Sequence, residues 1–298
     1  MAGKFYKFLA LPVGLSLAPF IFTYLLRPFL RKWRAQGLGV AVYLYDELIW
    51  IRWLKLLPSI PSNRHLASSR LALMSQNDPL NIAPSELGTK SYWDSRYELE
   101  LNNFQECGDE GEIWFGRSAE NRMIDFVRKN VPMSAHILDL GCGNGSVLRR
   151  LRKFGYSRLT GVDYCPAAIE LSKRISEEEV EDEAGTRIEF EVLDVLSSSR
   201  EPFSVRFNVV LDKGTWDAMS LSADREQRLV AYRTTVDEAL ENGGKFVIFS
   251  CNFTRDELVQ MFDDGARIVF HSEIPAAHTI SFGGRQGVTS TGVVFEKK

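Results

Sequence analysis

His-Ile-Leu-Asp-Leu-Gly-Cys-Gly-Asn-Gly-Ser, residues 136–146, is the stretch that decides the fold. Its apolar run ends in alternating glycines, the pattern of a buried parallel strand that feeds a tight turn. Gly141, Gly143 and Gly145 let the backbone bend sharply and leave no Cβ between it and a ligand. The helix that follows offers its unpaired N-terminal N–H groups to polar atoms in the same space. The stretch predicts a nucleotide-type cofactor site; the alternative is a glycine-rich turn that only closes a strand–helix unit.

The sequence downstream of this turn alternates between strands and helices, as a doubly wound sheet requires. Six further strands are predicted, at residues 158–163, 188–194, 207–212, 244–250, 267–272 and 288–296. The first of them ends at Asp163, about twenty residues after the glycines, where a carboxylate can accept from both ribose hydroxyls. The next ends at Asp194, which is placed to accept from an adenine amino group, while Val195 offers a backbone N–H. We therefore predict an α/β fold with a seven-stranded, mostly parallel, Rossmann-like sheet and helices on both faces.

Charge is unevenly divided along the 298 residues, whose net charge is −3 at pH 7. Residues 1–82 hold ten Lys and Arg against three Asp and Glu, a balance of +7, so residues 83–298 carry −10. A domain this acidic argues against nucleic acid as a partner, because phosphate contacts need a basic face. It suits a basic partner, such as a lysine-rich patch on another protein.

Cysteine and histidine give no sign of a metal site. The four cysteines form no Cys-x-x-Cys pair, and the four histidines are scattered along the chain. We therefore assign no metal ligands and expect a reducing compartment.

The chain begins with an apolar extension. Residues 8–26 contain no charged side chain and are flanked by basic residues on both sides. As a helix, these 19 residues would span about 28 Å, close to the thickness of a bilayer's hydrocarbon core. The heavier basic cluster follows the segment, so an anchor would leave the rest of the chain in the cytosol. The alternatives are a removed targeting segment and an apolar helix with another role.

A second apolar stretch and a linker complete the extension. Residues 38–57 suit a membrane surface or packing on the first apolar segment. Residues 58–84 are rich in Pro, Ser and Asn, a composition typical of linkers. We divide the chain into an N-terminal extension, 1–82, and a larger domain, 83–298.

Aromatic residues precede the glycine turn. Residues 87–104 have helical periodicity, and their apolar stripe consists of Trp93, Tyr97, Leu101 and Phe104. Core packing is the simplest interpretation of that stripe. Farther on, Trp114 and Phe115 stand between glycines, ahead of a second helical run at 117–131. This placement predicts a flap whose rings cover a bound group.

Seven motifs together make the sequence specific. They are Lys-Ser-Tyr-Trp-Asp (90–94), Gly-Glu-Ile-Trp-Phe-Gly (111–116), Leu-Asp-Leu-Gly-Cys-Gly-Asn-Gly (138–145), Gly-Val-Asp-Tyr (161–164), Asp-Lys-Gly-Thr-Trp-Asp-Ala (212–218), Ser-Cys-Asn-Phe-Thr (250–254) and Ser-Phe-Gly-Gly-Arg (281–285). The glycine spacing, with an acid two residues before the first glycine, is typical of methyltransferases that use S-adenosylmethionine. The whole set resembles the elongation factor 1-alpha lysine methyltransferase 2 family over residues 85–298, whereas residues 1–82 show no resemblance to it.

The resemblance implies S-adenosyl-L-methionine as the cofactor and a lysine of translation elongation factor 1-alpha as the methyl acceptor. The location it implies is the cytoplasm, with attachment to a membrane as the alternative that residues 8–26 raise. The implied cofactor contacts are Trp93, Tyr97, Trp114, Gly141, Asp163, Tyr164, Asp194, Val195 and Lys213. The three aromatic residues ahead of the turn would face the cationic sulfonium or the carboxypropyl end. Lys213 has an alternative role, since it can pair with a carboxylate such as Asp139 or Asp217.

The implied chemistry is direct displacement, so we expect no covalent nucleophile and no obligate general base. Asp212 and Asp217 are predicted to orient the incoming amine, and Trp216, Asn252 and Phe282 to line its channel. Structural capping of the Asp-Lys-Gly-Thr turn is the alternative for the two aspartates. Two other classes of function stay open: a small-molecule methyltransferase, and a membrane-tethered binding protein that has lost activity.

Overall fold

The computed structural model describes the backbone at 5–8, 38–45, 48–55, 84–179, 186–196, 203–276, 280–282, 285–287 and 289–298. Side chains are described in 84–179, 186–196, 203–276 and 289–298. The chain divides into two compact units, Met1–Ala83 and Pro84–Lys298.

The first unit contains a small antiparallel sheet. Its strands are β1 (Phe5–Phe8), β2 (Leu38–Tyr45) and β3 (Leu48–Lys55), in the order β1-β3-β2. The second predicted apolar stretch thus forms the two paired strands β2 and β3. Residues 9–26 of the predicted membrane segment and 58–83 of the predicted linker lie outside the described residues. In the part of the chain that the structure covers, no helix combines the length and the apolarity needed to cross a membrane.

The second unit alternates helices with strands. A 3-10 turn, Glu86–Gly88, precedes the helices of its described residues: α1 (Lys90–Cys107), α2 (Gly116–Asn130), α3 (Ser146–Lys153), α4 (Pro166–Glu178), α5 (Thr215–Ser220), α6 (Arg225–Ala239) and α7 (Arg255–Phe262). The strands are β4 (His136–Leu140), β5 (Arg158–Asp163), β6 (Glu189–Val192), β7 (Phe207–Lys213), β8 (Leu240–Ser250), β9 (Ile268–Ile274), β10 (Ile280–Phe282), β11 (Arg285–Gly287) and β12 (Thr291–Lys297).

Seven of these strands form one sheet in the order β6-β5-β4-β7-β8-β12-β9. The first five are parallel to one another, and β12 runs antiparallel to both of its neighbours. The chain moves from β4 outward through β5 to β6, and later from β7 outward in the other direction to β8. Right-handed crossovers in opposite directions place their helices on opposite faces of the sheet. The predicted seven-stranded, mostly parallel, Rossmann-like α/β fold is confirmed.

Strand β4 lies in the middle of the sheet, and its composition explains why. Ile137, Leu138 and Leu140 are fully buried, as are the apolar residues of the neighbouring strand β7 from Val209 to Leu211. A strand that is covered by helices on both faces needs a nearly continuous apolar run, which Asp139 alone interrupts between Ile137 and Leu140. Burial of each such side chain contributes about 1.5–3 kcal/mol, so the sheet is anchored at the strand that carries the glycine turn.

The predicted strand ends differ from the structure in one informative place. Strand β6 stops at Val192, two residues before Asp194. The Asp194 carboxylate accepts a hydrogen bond from the Leu196 N–H at 3.0 Å, which turns the chain away from the sheet. Asp194 therefore stands in the loop that follows the strand, as a turn residue.

A protein that starts at Pro84 is expected to fold by itself, with a stability within about 1 kcal/mol of that of the second unit in the full chain. The Ser85 N–H donates to the Leu221 carbonyl at 2.9 Å, and a Cβ on Gly88 would meet the Leu221 carbonyl carbon at 2.3 Å. These contacts attach the first residues of the second unit to the segment at Leu221, so the unit is packed from its first residues onward. Urea unfolding of the full chain and of residues 84–298 tests the proposed division, and a truncated protein without a cooperative transition would contradict it.

Candidate active site

The sheet reverses its direction of growth between β4 and β7. In open α/β sheets, ligands bind outside the carboxyl ends of the strands at such a reversal. The segments that leave the sheet there are the glycine turn after β4 and Gly214-Thr215 after β7. The Thr215 hydroxyl donates to the Leu140 carbonyl at 2.7 Å, so the two segments are joined directly.

The glycine turn leaves no room for a side chain. Gly141, Gly143 and Gly145 have φ of 70°, 54° and 71°, in the left-handed region that other residues rarely adopt. A Cβ on Gly141 would lie 2.0 Å from Thr215 Oγ1, and a Cβ on Gly143 would lie 2.4 Å from the Tyr97 hydroxyl. The turn is therefore a bare-backbone cradle, which is the form that a nucleoside-type cofactor needs for close approach.

Asp163 braces the same turn. Its carboxylate accepts hydrogen bonds from the Gly143 N–H at 3.1 Å and the Cys165 N–H at 2.9 Å. Burial raises the pKa of Asp163 to about 6, although both hydrogen bonds oppose that shift. Each carboxylate oxygen keeps a further lone pair, so the group can also accept from a ribose hydroxyl. The predicted ribose contact and this bracing role are compatible.

A second buried acid lies on the adjacent strand. Burial raises the pKa of Asp139 to about 7, and the ammonium of Lys213 partly opposes the shift. Burial also lowers the pKa of Lys213, while the nearby carboxylates of Glu120 and Asp139 oppose that change. Lys213 and Asp139 thus influence each other's pKa without forming an ion pair. Within the described ranges, no carboxylate oxygen lies within 4.0 Å of the Lys213 ammonium.

Three aromatic side chains meet beside the cradle. The ring of Trp93 lies 4.7 Å from that of Trp114 in an edge-on arrangement and 6.1 Å from that of Tyr97 in a stacked one. The indole N–H of Trp93 donates to the Leu87 carbonyl at 2.7 Å, which fixes that ring. The structure therefore brings together all three predicted aromatic contacts, and Tyr97 also touches the glycine turn.

The predicted flap is held in place at its start and at its end. The amide of Asn144 donates to the Glu110 carbonyl at 2.9 Å, and the guanidinium of Arg149 pairs with the Glu110 carboxylate at 2.7 Å. The ammonium of Lys213 donates to the Trp114 carbonyl at 2.9 Å. The segment is thus tied to the glycine turn, to the helix after it and to the end of β7.

The other predicted cofactor contacts follow β5 and β6 at the same edge of the sheet. Tyr164 is half-buried, and the Lys90 ammonium lies 5.0 Å from the centre of its ring. The Asp194 side chain is exposed, and the Val195 carbonyl accepts from the Thr235 hydroxyl at 2.7 Å. Their cofactor roles stay predictions.

Asp212, one of the two acids predicted to orient the amine, is fully buried at the N-terminus of α5. Its carboxylate accepts from the N–H groups of Gly214, Thr215 and Trp216 and from the Tyr232 hydroxyl. Burial raises its pKa to about 6, and these hydrogen bonds oppose the shift. A carboxylate with four internal donors fits the capping alternative better than contact with a substrate amine.

The second acid, Asp217, is also engaged internally. It accepts from the Ser250 hydroxyl and from the N–H groups of Cys251 at 2.7 Å and Asn252 at 3.0 Å. Burial raises its pKa to about 7. Asp217 therefore links α5 to the carboxyl end of β8. Its bond to the Asn252 N–H also positions Asn252, a predicted channel residue that is half-buried.

Trp216 lies in the core. Its side chain is 1% exposed and packs among Phe262, Tyr232 and Phe253, with ring centroids 4.5, 5.8 and 6.3 Å away. A ring this deep offers no surface to an incoming lysine, so core packing explains Trp216 better than the predicted channel wall. Phe282, the other aromatic channel residue, belongs to β10, and its side chain lies outside the described part of the chain.

Two residues at this edge were not predicted. Thr215 stood inside a quoted motif, but its bond to Leu140 joins residues 75 apart in the sequence. Arg122 carried no sequence signal. Its guanidinium donates to the carbonyls of Ile274, Pro275 and Ser290 at 2.6, 3.0 and 2.9 Å, so it clamps both ends of the segment that contains β10 and β11. Because Thr291 pairs with Ser250, this segment leaves the sheet at the edge where the site lies.

Metal ligation finds no support in the residues that the structure describes. Among them, no group of three or more His, Cys, Asp or Glu side chains is arranged to hold a metal ion.

Comparison with known proteins identifies the same region. A family model described as a methyltransferase domain matches residues 133–287. EEF1A lysine methyltransferase 2 of Homo sapiens is 42% identical over 218 residues, which are 72% of this chain and 89% of that protein. The protein of that name in Danio rerio is 41% identical over 219 residues, 73% of this chain and 90% of its own. Protein-lysine N-methyltransferase EFM4 of Saccharomyces cerevisiae is 37% identical over 231 residues, 73% of this chain and 97% of its own.

Proposed function

The chain belongs to the EEF1A lysine methyltransferase 2 family, and from that premise we propose that it is an S-adenosylmethionine-dependent protein-lysine N-methyltransferase acting on a lysine of elongation factor 1-alpha. Its place of action is the cytoplasm, where that substrate is expected. Attachment of the extension to a membrane is the alternative, and it depends on residues 8–26.

The observation that carries the proposal is the cradle at the sheet reversal. Two glycines there have no room for a Cβ, and two buried acids, Asp139 and Asp163, lie at the carboxyl ends of the adjacent strands β4 and β5. This arrangement suits a ligand with polar hydroxyl and ammonium groups that lies against bare backbone. S-adenosyl-L-methionine has those groups, and its sulfonium supplies the methyl for transfer.

The residues around the cradle have separate tasks. Asp163 is suited to hold the ribose, since a carboxylate accepts from both hydroxyls. Trp93, Tyr97 and Trp114 form an aromatic group that can attract a sulfonium cation. Rings packed over a bound cofactor would also exclude water, and the absence of water would strengthen the electrostatic interactions in the site.

The methyl acceptor determines what else the site must do. A lysine ε-amine is protonated at neutral pH, and supplying its neutral form costs about 4–5 kcal/mol at a reference pKa near 10.4. Desolvation in a channel lowers that pKa, and the proton leaves to solvent before the nitrogen takes the methyl. A bound cofactor would supply the methyl group to this nitrogen with the sulfonium sulfur as the leaving group, and alignment of the two by the site would supply much of the acceleration. No nucleophile or general base of this chain is assigned.

The charge balance supports a basic protein substrate. Residues 83–298 carry a net charge of −10, so a lysine-bearing surface is drawn toward this domain and a nucleic acid is repelled. A small-molecule acceptor is the second candidate, because the cofactor half of the site would be the same.

Transfer of an isotope-labelled methyl group tests the proposal. Purified full-length protein is incubated with labelled S-adenosylmethionine and either elongation factor 1-alpha or a panel of small amines and thiols. We expect the label on one or more lysines of the factor, located by mass spectrometry. The Asp163→Ala variant serves as the control for cofactor dependence, with affinity lowered by about 1–3 kcal/mol. Label on a small molecule in preference to the factor would show the second candidate to be right.

A further inference from the structure

We propose that Lys213 is a positioning residue that fixes the Trp114 ring at the cofactor site and does not itself contact the cofactor. The inference rests on the proposed function, because it assigns a task within that site. It replaces both roles considered for Lys213 from the sequence, a cofactor contact and a carboxylate partner.

The first observation is the bond from strand to flap. Lys213 is the last residue of β7, at the centre of the sheet, and its ammonium donates to the Trp114 carbonyl at 2.9 Å. The two residues are 99 positions apart in the sequence, so this bond joins a rigid strand to a distant loop. It fixes the peptide unit that follows Trp114.

The second observation is a strained residue next to that peptide. Phe115 has a φ of 66°, and elsewhere in the described ranges only glycines have positive φ. A bulky residue keeps this conformation only where its surroundings enforce it. The Phe115 ring is 5% exposed and packs directly on Gly214, where a Cβ would approach its Cζ atom to 3.0 Å. Lys213 at the end of β7 thus contacts Trp114, and the next residue, Gly214, contacts Phe115.

The consequence concerns the ring between these two contacts. The Trp114 ring is set against Trp93 at 4.7 Å with an interplanar angle of 63°, and Trp93 in turn stacks on Tyr97. Trp93 and Tyr97 belong to α1, whereas Trp114 belongs to the flap. If the flap were released at Lys213, the Trp114 ring would therefore lose its place against the other two. The ammonium would therefore influence cofactor affinity through the ring.

A double-mutant cycle separates the positioning role from direct contact. Cofactor dissociation constants are measured by calorimetry for the full chain, for Lys213→Met, for Trp114→Ala and for both together. We expect each single change to weaken S-adenosylmethionine binding by about 3- to 30-fold, and the double change to be no weaker than Trp114→Ala alone. If Lys213→Met has the same fold effect with and without Trp114, the lysine touches the cofactor and the proposal is overturned. An unchanged affinity in Lys213→Met overturns it too.

Two further variants serve as a rescue and as a matched control. Lys213→Arg keeps a donor in reach of the Trp114 carbonyl and should recover most of the lost affinity. Lys245→Met applies the matched change to a half-buried lysine of β8, which pairs with Glu296 at 3.3 Å, and should leave affinity unchanged.

Amide hydrogen exchange gives a readout that needs no cofactor. In Lys213→Met, the amides of residues 111–116 should exchange faster than in the parent chain, whereas those in the middle of α2 should not change. Unchanged exchange in 111–116 would show that Lys213 does not hold the flap. If the parent chain fails to bind S-adenosylmethionine, the proposed function fails, while the exchange experiment still decides whether the lysine fixes this segment.

Discussion

Replacement of Trp216 by alanine is expected to lower the free energy of unfolding by about 3–5 kcal/mol. The ring is almost completely buried and touches three other aromatic side chains, so its removal leaves a cavity that the surrounding sheet and helices cannot close. Urea unfolding followed by far-ultraviolet circular dichroism measures the change. The experiment also decides between core packing and the channel wall that the sequence suggested.

Trp216→Phe is the matched control. Within the described residues, the Trp216 indole nitrogen has no hydrogen-bond partner, so phenylalanine removes volume without leaving a donor or acceptor unpaired. We expect it to cost clearly less stability than alanine and to leave the Michaelis constant for the protein substrate unchanged. A stable Trp216→Ala protein with a raised Michaelis constant would instead place the ring in a substrate channel.

The architecture could be predicted because its signals are local. A short, mostly apolar stretch followed by Gly141 specifies a buried strand and a turn over a few residues, and the same holds for the stretch that ends at Asp163. The capping box formed by Thr254 and Glu257 at the start of α7 is equally local, and the structure contains both of its hydrogen bonds. In each case the residues that determine the structure are neighbours in sequence.

The division of labour within one motif could not be predicted. Five nearly consecutive residues of this motif have five different partners. Asp212 caps α5, Lys213 donates to the Trp114 carbonyl, and Thr215 donates to the Leu140 carbonyl of β4. Trp216 packs in the core, and Asp217 accepts from the Cys251 N–H after β8. A short helix after a strand end turns successive side chains in different directions. Which direction faces the site depends on partners such as Tyr232 and Phe262, which no local pattern reveals.

Replacement of Gly141 by alanine is expected to have the largest effect on the site. A side chain at φ of 70° costs about 1–2 kcal/mol, and a clash in a packed interior costs about 1–3 kcal/mol more. The new Cβ would lie 2.0 Å from Thr215 Oγ1 and 3.1 Å from both carbons of that side chain. Thr215 cannot rotate away without losing its hydrogen bond to Leu140. We expect the free energy of unfolding to fall by about 2–5 kcal/mol and cofactor affinity to fall about tenfold or more.

Gly155→Ala separates backbone strain from the clash in this prediction. Gly155 has a φ of 93° in the turn after α3, and a Cβ there would meet only the Met133 sulfur, at 3.4 Å. That variant should carry the strain cost of about 1–2 kcal/mol alone and bind cofactor normally. Adding Thr215→Ala to Gly141→Ala removes the atom that the new Cβ strikes, so the double variant should recover part of the loss that the two single changes would sum to. Normal cofactor affinity in Gly141→Ala, measured by calorimetry beside these controls, would mean that the cofactor does not lie against this turn.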